Sequence, residues 1–139
     1  MPETPQAEDL KDYFLKEIEI IEDIISRMAN NSFLIKGWTI TLVVISMLLS
    51  QEPKVRLFSI IPCIFFWGLD AYYLWLEKLY RALFDWVIAN RLNTNAYLFD
   101  LNARTRFSSR VDNIFKVMVS PSLLLFYLGL MILIFFLNK

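Results

Sequence analysis

The chain has 139 residues, a length that fits one domain, and 57% of them are hydrophobic, more than a soluble domain of this size requires. Its 14 basic and 14 acidic residues give a net charge of zero. No histidine and a single cysteine exclude disulfide frameworks, His or Cys metal sites and His-based catalysis. The charges collect at the ends of long uncharged runs, which is typical of a polytopic membrane protein.

Residues 1–32 predict a cytoplasmic amphipathic helix with an acidic outer face. Its apolar positions recur at spacings of four and three: Phe14, Ile18, Ile21, Ile25 and Met28. Eight acidic and three basic residues give the segment a net charge of −5, which is unsuited to anionic lipid. We therefore expect it to pack on protein, within its own chain or in a seam between subunits. An export signal would begin basic, so we also expect the segment to be retained.

Three apolar runs are long enough to cross a bilayer, which takes about 20 residues. They cover residues 33–50, 57–76 and 117–137. Residues 51–56 leave room only for a short turn, so the first two helices form an antiparallel hairpin. We expect Asn30, Asn31 and Ser32 to end the N-terminal helix and to cap the first membrane helix.

The apolar stripe of the second membrane helix continues beyond the bilayer, which predicts that this helix extends into the cytoplasm to about Asn90. Residues 97–101 are then a short strand or a buried loop, and residues 111–116 a short helix leading back to the membrane. Ser120 and Pro121 begin the regular part of the third span, or Pro121 kinks it.

The predicted fold class is therefore all-α, with an N-terminal cytoplasmic helix and three transmembrane helices. The predicted segments are a cytoplasmic acidic helix (1–32), a transmembrane hairpin (33–76), a basic cytoplasmic segment (77–116) and a third transmembrane helix (117–139). Basic residues are retained on the cytoplasmic side, and seven of them lie within 78–116. This places the N-terminus in the cytoplasm, and residues 51–56 and the C-terminus outside.

The basic segment has two interpretations. Its seven basic and three acidic residues over 78–116 complement the −5 charge of the N-terminal helix, and docking of the two is the simplest use of both. Alternatively, Arg104, Arg106 and Arg110 bind phosphate, from lipid headgroups or a nucleotide. Only three glycines occur in the chain, so no phosphate-binding glycine loop is expected, and zero net charge argues against nucleic acid.

Asp70 lies inside the second apolar run, where a charge requires a partner. Lys36 lies at a similar depth in the antiparallel first run, so we predict an intramembrane Lys36–Asp70 ion pair. This pair fixes the fold, belongs to a polar face shared between subunits, or is a titrating or ion-conducting site. A polar stripe on the same helical face would line an oligomer axis or contact the N-terminal helix. Its members are Trp67, Tyr73, Glu77 and Arg81.

Two stretches of the hairpin carry a resemblance: Asn31, Ser32, Phe33, Lys36, Gly37 and Trp38 with Thr41, Leu42 and Val43, then Phe66, Trp67, Leu69, Asp70, Tyr72, Tyr73, Leu74, Glu77 and Arg81. Over residues 27–85 the chain resembles a group of small uncharacterised bacterial membrane proteins. The resemblance implies a bacterial inner-membrane protein with this hairpin as its core, and it carries no catalytic motif. Some small membrane proteins of this kind resemble antiphage effectors that permeabilise the cell's own membrane, an analogy at the level of the fold.

Three classes of function follow, none of them enzymatic, because no nucleophile and base pair stands out. The first hypothesis is a self-assembling, homo-oligomeric pore or membrane-disrupting effector. Antiviral defence is the role that the analogy gives to such an effector. The alternative is a membrane scaffold or accessory subunit that anchors a cytoplasmic protein partner. A small transporter is the third, although no inverted repeat is visible. We expect no cofactor, no metal, no catalytic residue and no nucleic-acid partner.

Overall fold

The computed structural model describes residues 7–49, 52 and 57–137. Within these ranges every regular element is a helix and none is a strand, so the predicted all-α class is confirmed. The α-helices of the described residues are α1 (Ala7–Leu49), α2 (Ile60–Asn90), α3 (Ala103–Phe107), α4 (Ile114–Met118) and α5 (Pro121–Leu137). Short 3-10 turns at Leu57–Ser59 and Arg91–Asn93 lie on either side of α2.

Helix α1 runs without interruption through Asn30, Asn31 and Ser32. The expectation that these residues end one helix and cap another is therefore wrong. Neither proline nor glycine occurs between Ala7 and Leu34, and Asn or Ser in a helix interior costs only about 0.5 kcal/mol relative to Ala. The Ser32 hydroxyl donates a 2.5 Å hydrogen bond to Asp70, so it is not used to cap a helix N-terminus.

Helix α2 extends to Asn90, as the continued apolar stripe predicts. Leu79, Leu83 and Val87 are buried along that stripe. The Asn90 side chain donates to the Trp86 carbonyl at 2.8 Å, and the chain then tightens into the 3-10 turn.

The return towards α5 differs in detail from the prediction. The short helix expected at residues 111–116 begins at Ile114, because the Asn113 side chain accepts a 3.1 Å hydrogen bond from the Phe115 N–H and caps α4. Pro121 is the first residue of α5, where its missing N–H leaves no bond unmade, so it starts the helix and does not kink it. The Ser120 hydroxyl has no hydrogen-bond partner among the described residues, so the cap expected from its side chain is not formed.

Residues 96–99 form a turn where a short strand or a buried loop was expected over residues 97–101. Tyr97 and Phe99 have φ angles of 59° and 55°, in the left-handed region that non-glycine residues seldom adopt. A strand is incompatible with those angles. The turn predicted at residues 51–56 lies outside the described residues except for Glu52, and so does the tail at residues 138–139.

The described residues divide into two compact units. One contains residues 7–28 and 76–112, and the other contains residues 29–75 and 113–137. The first is packed around Ile21, Leu79, Leu83, Val87, Ala103 and Phe107. The second is packed around Val43, Cys63, Ala71, Val117, Leu123, Tyr127 and Ile134. We call them the acidic–basic unit and the apolar unit.

Among the described helices, the stretch Asp9–Leu49 of α1 is long and apolar enough to cross a membrane. Only 22% of its most apolar window is buried within the chain, whereas the core helix of a soluble protein is mostly buried. Helix α5 is apolar throughout but shorter, at 17 residues. One long apolar helix thus marks a possible association with a membrane.

Candidate functional site

The apolar unit contains a buried polar cluster centred on Asp70 of α2, whose exposed fraction is 0%. Lys36 of α1 lies beside it, with Nζ 2.6 Å from Oδ2 of Asp70. Ser32 donates its hydroxyl to Oδ1 at 2.5 Å, and Tyr127 of α5 donates its hydroxyl to Oδ2 at 3.1 Å. Side chains from α1 and α5 therefore converge on one carboxylate of α2.

Ser32 and Lys36 reach Asp70 together because they lie one turn apart on α1, on the same face. The Lys36 ammonium also donates to the Ser32 hydroxyl at 2.8 Å, so the two α1 side chains hold each other in place. The Lys36 side chain is 27% exposed, whereas Asp70 is fully enclosed. A buried carboxylate is tolerated when it is paired and hydrogen-bonded, and both conditions are met here.

An aromatic pair extends the cluster. The rings of Trp67 and Tyr127 are stacked, with centroids 5.8 Å apart and planes 11° from parallel. The Trp67 indole N–H donates to the Met118 carbonyl at 2.9 Å, which connects α2 to α4. Neighbouring Thr39 is fully buried and donates to the Ile35 carbonyl of its own helix at 2.7 Å. The polar groups of this region thus find partners within the chain.

The structure brings Lys36 and Asp70 together, and the four residues of the predicted polar stripe are divided between the two units. Trp67 is engaged with Tyr127 in the apolar unit, where Tyr73 contacts the Tyr72 ring at a centroid distance of 5.8 Å. Glu77 and Arg81 belong to the acidic–basic unit and form an ion pair of 2.7 Å on successive turns.

The acidic–basic unit contains a second buried ion pair, between Glu17 of α1 and Arg91 after α2, with exposed fractions of 2% and 0%. The guanidinium binds both carboxylate oxygens: Nε donates to Oε2, and Nη2 donates to Oε1 at 2.9 Å. Nη1 donates to the carbonyls of Thr94 and Ala96, and Nη2 also reaches the carbonyl of Tyr97. All five N–H donors of the guanidinium are therefore used.

This pair also shapes the turn that follows it. Oε1 of Glu17 accepts a 2.8 Å hydrogen bond from the Phe99 N–H, one of the two residues with positive φ. The Tyr13 and Phe99 rings meet edge to face at 5.8 Å. The docking expected between the acidic helix and the basic segment is confirmed, and Glu17 and Arg91 provide its buried centre.

From the sequence, Glu17 belongs to the acidic face of the N-terminal helix and Arg91 to the basic segment 78–116. Their pairing was not predicted. The sequence pattern indicates a buried position for Glu17 but not for Arg91. Glu17 shares the apolar face of α1 with Phe14, Ile18 and Ile21, since positions three and four apart lie together on a helix. Arg91 stands among seven basic residues, and its position carries no comparable mark.

The three arginines predicted to bind phosphate have different surroundings. Arg106 lies over the rings of Trp86 and Tyr97, 4.4 and 4.2 Å from their centroids, and its buried Nη1 has no hydrogen-bond partner among the described residues. Arg104 is exposed two positions earlier in α3, so it points to a different side of the helix. Arg110 is exposed and lines an open groove with Lys78 and Arg81.

Within the described ranges, no three His, Cys, Asp or Glu residues cluster as metal ligands would. The geometry that the structure does contain is two buried ion pairs, one in each unit, and an open groove with charged walls. Comparison of the chain with protein-family models, with curated proteins and with solved structures found no match.

Proposed function

We propose that the chain is a non-enzymatic scaffold of the bacterial inner membrane, which anchors a cytoplasmic protein partner. In this proposal, residues 33–50, 57–76 and 117–137 span the bilayer, with the N-terminus inside and the C-terminus outside. The acidic–basic unit is then the cytoplasmic part. The exposed apolar surface of α1 and the apolar composition of α5 support the membrane location.

The enclosure of Asp70 is the observation that carries the choice of a scaffold. A channel needs polar groups that face its axis. Asp70 is the one acidic residue of the second apolar run up to Leu76, and its partners Ser32, Lys36 and Tyr127 come from its own chain. A carboxylate that is neutralised inside the chain stabilises the helix packing and leaves no charge for an axis between subunits.

The acidic–basic unit supports the anchoring role. Buried Glu17 and Arg91 stiffen it, while several large apolar side chains on it are exposed: Leu15, Ile88, Leu92, Tyr97 and Phe99. On a unit placed in water, these exposed apolar side chains are available to a protein partner. The partner would therefore be a cytoplasmic protein with a complementary apolar patch.

Ion flux from proteoliposomes tests this proposal. The purified protein is reconstituted at several protein-to-lipid ratios, and potassium release is measured beside protein-free vesicles. A scaffold predicts release equal to that of the empty vesicles at every ratio. Release that increases with the amount of protein would contradict the scaffold and favour a pore.

The second candidate is a homo-oligomeric pore or membrane-disrupting effector, for which a role in antiviral defence rests on analogy with antiphage effectors. An open face of α1 favours self-association, because the small residues Gly37 and Thr41 share it with exposed Phe33 and Trp38. A Cβ at Gly37 would meet no atom within 4 Å, so Gly37→Leu leaves the monomer intact and blocks this face. If the protein releases potassium, the variant should abolish the release.

A further inference from the structure

An open groove of about 320 Å³ lies in the acidic–basic unit, and no part of the scaffold proposal uses it. One wall is a single face of α2, with residues at spacings of three, four and seven, and the other is the segment that follows α3. The groove is lined by Lys78, Arg81, Ala82, Asp85, Arg110, Val111 and Asp112. Its walls thus carry charges of both signs around two small apolar side chains.

The charges of the groove differ in how far they are already neutralised. Arg81 is paired with Glu77 on the preceding turn, at 2.7 Å, and Asp112 is already engaged in an interaction within the chain. Lys78 and Asp85 form no ion pair with any residue in the described part of the chain. Arg110 lies over the Phe107 ring at 5.4 Å, a contact that leaves its N–H donors available. The groove therefore offers two cations and one anion to a ligand.

Two of these charges, Lys78 and Asp85, are ordered along α2. Lys78 follows Leu76, the last residue of the proposed second span, by two positions, which is ~3 Å along the helix axis. Asp85 lies nine positions beyond Leu76, or ~13 Å along the axis. A cation therefore stands at the depth of the lipid phosphates, and the unpaired carboxylate stands further from the bilayer.

We propose that this groove binds the phosphoethanolamine headgroup of a phospholipid in the cytoplasmic leaflet. Lys78 and Arg110 bind the phosphate by charge-assisted hydrogen bonds, and Asp85 accepts hydrogen bonds from the primary ammonium. In that lipid the phosphate is nearer the acyl chains than the ammonium, the same order as Lys78 and Asp85 along α2. The proposal rests on the proposed membrane topology, since that topology sets the depth of Lys78.

The headgroup chemistry separates this proposal from a general attraction to anionic lipid. A phosphatidylglycerol headgroup has no cation for Asp85, and the quaternary ammonium of choline has no N–H to donate. A basic patch alone would prefer the anionic lipid over both zwitterionic ones. A preference for ethanolamine over choline and glycerol is therefore the distinctive expectation.

Native mass spectrometry of the full chain in detergent tests the preference, with phosphatidylethanolamine, phosphatidylcholine and phosphatidylglycerol of identical acyl chains added in turn. We expect the ethanolamine lipid to be retained about tenfold more than either of the others, the effect of one charge-assisted hydrogen-bond partner. Asp85→Asn should abolish this preference, and Lys78→Gln with Arg110→Gln should reduce retention of all three lipids. Exposed Arg27 lies outside the groove, so Arg27→Gln is the matched control and should leave retention unchanged.

Equal retention of the three lipids, a preference for phosphatidylglycerol, or a preference that survives Asp85→Asn would overturn the proposal. Soluble O-phosphoethanolamine, added as a competitor, should displace the lipid only at large excess. Displacement at equimolar concentration would identify a site for a soluble phosphate ester and contradict a lipid site. Membrane fractionation distinguishes failure of the scaffold proposal from failure of the headgroup site. A chain recovered in the soluble fraction refutes the membrane scaffold itself. A membrane-bound chain without the lipid preference refutes the headgroup site alone.

Discussion

Asp70 illustrates how one carboxylate is made tolerable inside an apolar helix bundle. Burying an unpaired charge costs several kcal/mol, and this charge is compensated by a lysine and two hydroxyl groups at once. The loss of one partner would leave the remaining charge buried without compensation. The cluster therefore stabilises the fold as a complete network, and no single contact accounts for its contribution to the free energy of unfolding.

A double-mutant cycle on Lys36 and Asp70 measures this interdependence. Lys36→Met should lower the free energy of unfolding in mixed detergent micelles by about 3 kcal/mol, because it leaves Asp70 without a counter-charge. Lys36→Met combined with Asp70→Asn should cost less than the sum of the two single changes, since no unpaired charge remains. Strictly additive losses would show that the two side chains do not interact.

The contrast between Glu17 and its neighbour Lys16 gives a second prediction. Glu17→Gln should lower the free energy of unfolding by about 3 kcal/mol and speed hydrogen exchange at the Phe99 amide, since a buried partner of Arg91 is lost. Lys16 pairs with Glu19 at 2.7 Å, but their side chains are 59% and 63% exposed. Lys16→Gln should therefore leave the Tm unchanged, because exposed ion pairs contribute little. Similar losses in both variants would contradict a special role for the buried pair.

At the residue scale, the sequence predicted those site residues whose charge contrasts with apolar neighbours in the chain. Lys36 and Asp70 were recognisable because each is a charge inside an apolar run. Ser32 and Tyr127 were not, since hydroxyl groups in helices usually have local partners or interfacial positions. The pairing of Glu17 with Arg91 joins residues 74 positions apart, and the local sequence pattern does not indicate which distant residue is the partner.

At the scale of elements, α1 is the clearest departure from the prediction. Two asparagines and a serine are a strong capping pattern, but a cap forms only where the chain turns away from the helix. The flanks on both sides of residues 30–32 favour a helix, and Ser32 instead bonds to Asp70. The end of α2 was predictable, because the polar cluster after Asn90 is a signal that acts locally. For Pro121 the sequence left two roles open, and the structure has the first of them, the start of a helix.

A proline substitution at Phe33 tests the continuity of α1. In a helix interior, Phe33→Pro removes a backbone hydrogen bond and clashes with the preceding turn, so it should lower the free energy of unfolding by about 3 kcal/mol. If Ser32 capped a new helix, Phe33 would be its first residue and proline would be tolerated. Phe33 is exposed, so Phe33→Ala is the control for loss of the side chain alone. Circular dichroism and unfolding in detergent measure both variants, and a proline variant as stable as the alanine variant would contradict a continuous α1.

At the scale of the whole molecule, the chain combines two units of different chemistry. One is held by a buried Glu–Arg pair and the other by a buried Lys–Asp cluster, and helices α1 and α2 contribute residues to each. The helical class and the docking of acidic and basic segments followed from composition and charge. The three-span topology remains a prediction, and it is tested separately from the fold.

Reporter fusions test that topology in cells. A phosphatase that is active only outside the inner membrane should be inactive when fused after residue 95 and active when fused after residue 139. The basic residues of the 78–116 segment are the physical reason, because they are retained on the cytoplasmic side. Activity at residue 95 would invert the orientation, and inactivity at residue 139 would remove the third span.

The central claim is that the Asp70 cluster is completed within one chain and stabilises the helix packing of a scaffold. Native mass spectrometry of the detergent-purified protein tests it most directly, by counting subunits in the wild type and in Asp70→Asn while unfolding is followed on the same samples. We predict the same subunit number for both proteins and a lower Tm for the variant. A closed ring of four or more wild-type subunits that Asp70→Asn disperses would contradict the claim and assign Asp70 to an interface between subunits.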